Sequence, residues 1–151
     1  MGRARRVSSF VAALAGSVAS LMAAGPATAA NGAEVYNANC AACHQPDGAG
    51  IPGLAPPLRS ELWKRLGKRS PEYIAGVLIS GMVGLPLDGQ RYGAAMPPWA
   101  HMSDAELAAV SNFVLQKLNG TKPAVAEAAV KEARKTSPDA HALKQLREGG
   151  G

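Results

Sequence analysis

Between positions 31 and 120 the apolar residues recur at helical rather than strand spacing. In "SDAELAAVSNFVLQKLNG", Leu107, Val110, Val114 and Leu118 form one stripe, Ser103 and Glu106 have capping-box spacing, and Asn119-Gly120 is a stop. "SPEYIAGVLISG" predicts a second helix, with Ser70 as N-cap, Pro71 at the first helical position and Gly81 as terminator. Its Ile74, Val77 and Leu78 share a face. A shorter helix is expected in "SELWKRLG", with Ser60 as N-cap and Gly67 as stop, and another in "AEVYNANCAACH". No run alternates convincingly as a strand, although Asp88-Gly89 in "LDGQRY" suits a tight hairpin turn. The pattern describes an all-α body.

Two Gly/Pro-rich connections, 45–58 and 81–98, interrupt these helices and are long for so small a domain. A core of this size tends to need a staple or a cofactor. Something apolar and non-protein is therefore expected at its centre.

The flanks differ from this body. Residues 1–30 open on Arg3, Arg5 and Arg6, continue through an Ala/Val/Leu-rich run and end on "ATA" at Ala27–Ala29, which predicts a signal peptide cleaved after Ala29 or Ala30. Retention as an anchor is the alternative. The stretch Val7–Ala24 is barely long enough to span a bilayer, and serines and Gly16 dilute it. Cleavage would leave no stable membrane insertion and a product outside the cytoplasm, most simply in a bacterial periplasm. Residues 121–151 hold none of the aromatic residues that mark 31–120. They show no broad apolar stripe and are expected as a polar, Ala-rich, solvated or disordered extension.

Charge changes little. The formal +5 includes the three N-terminal arginines, whereas 31–120 carries seven basic and seven acidic side chains. No basic face interleaved with aromatics supports nucleic-acid binding.

The chemistry concentrates in "CAACH", residues 40–44, which contains both cysteines of the chain. A thioredoxin-type redox pair would want a βαβ context. A structural zinc site wants four ligands, and beyond the two cysteines only His44, His101 and His141 are on offer. A Cys40–Cys43 disulfide would close a very short loop and stabilise little. C-x-x-C-H is the attachment motif of c-type haem, in which two thiols about one helical turn apart form thioethers with the porphyrin vinyls and the histidine ligates iron.

With that motif near its start, "GLAPPLRS" about twelve residues on and "AAMPPW" before the last helix, 31–120 resembles the class I single-haem c-type cytochromes. The resemblance implies the small cytochrome c fold, one haem c bound covalently through Cys40 and Cys43, and His44 as proximal ligand. It also implies that the Pro56 carbonyl accepts a hydrogen bond from His44 Nδ1, with Pro57 as the neighbouring candidate. Met96, braced by Pro97 and Pro98, is the expected sixth ligand, with His101 and Met102 as alternatives. Met82 lacks a prolyl brace, and Met102 has the position of a staple onto Leu107.

Tyr36 and Phe113 are expected at a crossing of the first and last helices, and Trp63, Tyr92 and Trp99 as crevice lining or plain core. The cluster Arg59, Lys64, Arg65, Lys68 and Arg69 suits a haem propionate, an acidic redox partner or merely a solvated face. The implied function is periplasmic single-electron transfer between unidentified redox protein partners, without catalysis. The rivals are a haem subunit docked to a larger oxidoreductase, with the tail as docking arm, and a haem enzyme or gas sensor with an open sixth position.

Overall fold

The computed structural model describes Met1 and residues 30–149; the expected signal peptide lies outside the described residues. Among these residues seven α-helices follow in order: α1 Gly32–Asn39, α2 Ala41–His44, α3 Leu62–Leu66, α4 Ser70–Ser80, α5 Asp104–Asn112, α6 Glu127–Thr136 and α7 Ala140–Glu148. Among the described residues there is no strand, only three isolated antiparallel bridges. None of their helices is long and apolar enough to cross a membrane.

Helix α1 starts at Asn31, whose side chain accepts from Ala33 N, and crosses α5 at close range. The crossing is possible because position 32 is glycine: a Cβ there would lie 2.2 Å from Ala109 O. Tyr36 packs against Phe113 at the same crossing, with ring centroids 4.9 Å apart. Helix α5 begins with the expected capping box, Ser103 Oγ accepting from Glu106 N while the Glu106 carboxylate accepts from Ser103 N. Its continuation, Phe113–Leu118, is wound as a π-helix. Beyond it, Asn119 donates from Nδ2 to Leu58 O and Val114 O and accepts from Ser60 N at Oδ1, tying the helix end to the Pro-rich loop. The Asp88-Gly89 turn is present, with both residues at positive φ and Leu87 bridged to Gln90.

Two expectations need correcting. Ser70 is no N-cap: it is fully buried inside α4 and its hydroxyl donates to Trp63 O. The 3₁₀ turn Gly67–Arg69 runs straight into α4, so the helix start borrows backbone from the preceding turn and leaves the serine for tertiary packing.

Nor is 121–149 a solvated extension. Helices α6 and α7 pack on α4 and α5 and bury Val125, Val130, Ala133 and Leu143 within the same apolar core. Their apolar surface is small, so three devices support it. Asn112 exchanges two hydrogen bonds with the Val125 backbone. Arg134 reaches Asp104 Oδ1 at 2.6 Å and the carbonyls of Ala100 and Met102. Leu143 and Pro138 fill the hollow left by Gly76 on α4, where a Cβ would meet them at 2.8 and 2.9 Å.

Candidate haem site

The motif cysteines hang from the end of α1. Tyr36, fully buried, donates its hydroxyl to Gln45 O at 2.7 Å and so clamps the far side of the motif to the helix that precedes it. Burial pushes this phenol up to about 12, with the charges of Cys40 and Asp47 adding to the effect. Cys40 N donates to Tyr36 O and His44 N to Cys40 O, so the chain from cysteine to histidine makes one helical turn. Both cysteines are free thiols, Cys40 half-buried and Cys43 exposed. Burial and, secondarily, Cys43 raise the Cys40 thiol to about 11.

His44 is buried, 6 % exposed, and its Nδ1 lies 2.9 Å from Pro56 O. A carbonyl only accepts, so Nδ1 carries the proton and Nε2 keeps its lone pair for a metal. Burial holds the imidazole below the ordinary histidine range, while the Pro56 bond pulls the other way. The balance favours the neutral ring that a metal requires. Loop 45–58 reaches this position because Gly50, at φ 72°, has no Cβ, which would stand 2.6–2.7 Å from the Ala55 and Pro56 backbone. Gly50 N donates to His44 O and Gly48 O accepts from Leu58 N, closing the loop beneath the histidine.

Across the cleft the second long connection is stitched to the end of α4. Met82 and Met96 exchange both backbone hydrogen bonds, at 3.0 and 2.9 Å, and Trp99 N donates to Leu78 O. Gly81 permits the approach: its φ is 71°, and a Cβ there would sit 2.6 Å from Met96 O.

His44, Pro56, Ala94 and Met96 line two adjoining clefts. One continues past Cys40, Cys43 and Trp99. The other runs between Leu58, Trp63, Tyr73, Val77, Met82 and Tyr92, with Arg147 of α7 in its wall. Trp63 Nε1 is satisfied by Leu58 O, so the indole presents an apolar face. Met82 borders only the second cleft, whereas Met96 borders both. His101 is exposed and tilted against Trp99, and Met102 packs on the main core; neither lines either cleft.

Two thiols, a neutral imidazole with a free Nε2 and a thioether, grouped in an otherwise apolar cleft, fit a covalently bound haem. The basic cluster does not take part in this lining. Lys64 pairs with Glu61, Arg65 with Asp88, and Arg69 donates to Leu146 O. Among the described residues, the one cation in the wall is Arg147. It went unnoticed in the sequence because only the docking of α7 brings it there.

A family model for cytochrome c matches residues 29–117. Cytochrome c-552 of Thermus thermophilus is 39% identical over 118 residues, covering 72% of this chain and 89% of that protein. Cytochrome c6 of Microcystis aeruginosa is 33% identical over 85 residues, 56% of this chain and 91% of its own. The cytochrome c subunit of the quinone alcohol dehydrogenase of Gluconobacter oxydans is 35% identical over 98 residues, 64% of this chain but only 20% of the subunit. The helical fold, the paired cysteines with their histidine and these likenesses agree: the chain belongs to the cytochrome c family, electron carriers with covalently bound haem c.

Proposed function

We propose that the chain is an exported carrier of single electrons, in which Cys40 and Cys43 would form the thioethers and His44 Nε2 and Met96 Sδ would hold the haem iron. One observation carries the reading. His44 and Met96 both border the cleft that holds the cysteine pair, and the alternatives His101 and Met102 do not. The bound haem supplies a one-electron ferric–ferrous couple.

The residues have separable duties. Pro56 O fixes the tautomer and orientation of His44. The Met82–Met96 backbone pair holds the distal loop and keeps Met96 at the cleft. Leu58, Trp63, Tyr73 and Val77 exclude water from the deep side. Cys43 is exposed and would leave one edge near solvent, where a partner can approach. Export rests on the signal pattern of residues 1–30 and implies a periplasmic site of action.

A second reading, a haem subunit of a dehydrogenase, is supported by the likeness to alcohol dehydrogenase cytochrome subunits. A free docking arm does not belong to it, because 121–149 is packed on its own domain. The deciding experiment is maturation in a haem-attaching host. Denatured protein is expected to retain the added mass of one haem, and the native ferrous form to refuse carbon monoxide. Wild-type protein that binds carbon monoxide without denaturant would remove Met96 from the iron. Cell fractionation tests export, and co-purification with a catalytic subunit would favour the second reading.

A further inference from the structure

Arg147 is a cation where an apolar wall is expected. Its side chain is only 8% exposed, and it borders the deep cleft together with Trp63, Tyr73 and Val77. Nη2 meets the largely exposed Glu148 carboxylate at a modest 3.3 Å. Nη1 is buried without any partner. Tyr73 lies beside it; burial raises its phenol, while the Arg147 charge and then a side-chain hydrogen bond with Arg147 hold it back. On its other side the guanidinium borders a groove with Arg65, Arg69 and Asp88, and Asp88 is already paired with Arg65. A buried guanidinium with an idle donor is costly unless an anion completes it.

The position is held firmly. Leu143 is seated over Gly76, and Leu146 O accepts from Arg69 Nη1 at 2.5 Å, so α7 cannot shift without unpacking α4. The cleft also has a direction. Cys40 and Cys43 occupy one end, His44 and Met96 border the middle, and Arg147 borders the other end. In a haem tethered through its vinyl groups, the two propionates leave from the opposite half of the ring.

We infer that Arg147, delivered by the C-terminal helix, is the counter-ion of a haem propionate and thereby raises the reduction potential of the iron. The inference rests on the haem placement proposed above. A propionate left unpaired in a low-dielectric cleft favours the ferric state; a guanidinium beside it cancels that field and favours the ferrous one. Arginine suits the task because its planar fork meets a carboxylate with two donors. Residues 121–149 thus serve the redox site as well as the core.

The test uses the full holoprotein and compares wild type with Arg147→Gln, Arg147→Leu and Arg147→Lys by equilibrium redox titration. Glu148→Gln is the control. The expected result is a lowered midpoint potential in Arg147→Gln and in Arg147→Leu, which retains an apolar stem where glutamine hinders folding. Arg147→Lys should recover most of the shift, with covalent haem and axial absorption unchanged throughout. A wild-type potential in either neutral variant, or a lysine variant as low as the leucine one, overturns the inference. Loss of covalent haem or carbon monoxide binding in wild type would instead overturn the ligand assignment, so the two failures are distinct.

Discussion

Met96 owes its place to a residue that carries no side chain. The Gly81 backbone sits at φ 71° and 2.6 Å separates a would-be Cβ from Met96 O. Gly81→Ala therefore combines left-handed strain with a backbone clash, and is expected to cost about 1–3 kcal/mol. The distal loop has to retreat, so the variant should unfold at lower denaturant and let carbon monoxide reach the ferrous iron. A Gly81→Ala protein with wild-type midpoint and no carbon monoxide binding would show that the loop is held some other way. In the sequence Gly81 is legible only as the end of a helix. Its second role depends on a loop fifteen positions later and has no local signature. The Cys40, Cys43 and His44 spacing, by contrast, is local chemistry and stands in the sequence complete.

Among the elements, α5 is the most faithfully written. Ser103 and Glu106 satisfy each other's backbone N–H groups, at 3.2 and 2.9 Å. Ser103→Ala should therefore cost about 1 kcal/mol in urea or thermal unfolding at neutral pH. Hydrogen bonds from the Ser103 hydroxyl and then its backbone hold the Glu106 carboxyl below the usual range. A carboxyl with a depressed folded pKa stabilises above its unfolded pKa and loses that contribution as pH falls through the folded value. The Ser103→Ala deficit should accordingly shrink in acid. A deficit that is constant from neutral pH into the carboxylate range would separate the cap from its glutamate. Ser70 carries the same serine-before-helix signal and misleads, because a 3₁₀ turn leads into α4 and the hydroxyl is used across the core on Trp63 O. A cap is readable only where the chain before it is not already helical.

At the scale of the whole molecule, the core is larger than its aromatic residues advertise. Val125, Val130, Ala133 and Leu143 complete it from two short helices and the segment that leads into them, each too polar in average composition to read as core. The matching hollow is Gly76 on α4, a glycine in a helix whose purpose is invisible until Leu143 and Pro138 cover it. Two sequence signals were therefore present and lay too far apart to be joined.

If this packing is part of the fold, Leu143→Ala should behave as an ordinary large-to-small core change and cost about 2–5 kcal/mol, near the upper end if the Gly76 hollow cannot collapse. An exposed tail position such as Lys131→Ala should cost almost nothing. Truncation after Gly120 should do more than either, since it uncovers the α4 and α5 faces together and removes Arg134 from Asp104 and the Ala100 carbonyl. That segment follows the Met96 loop directly, so the truncated holoprotein should lose stability and distal order together. A truncated chain with the wild-type unfolding midpoint would return 121–149 to the status of an appendage. The physical case against that outcome is the full burial of Val130 and the near-complete burial of Leu143, because apolar side chains taken out of water on one surface must stabilise whatever they cover.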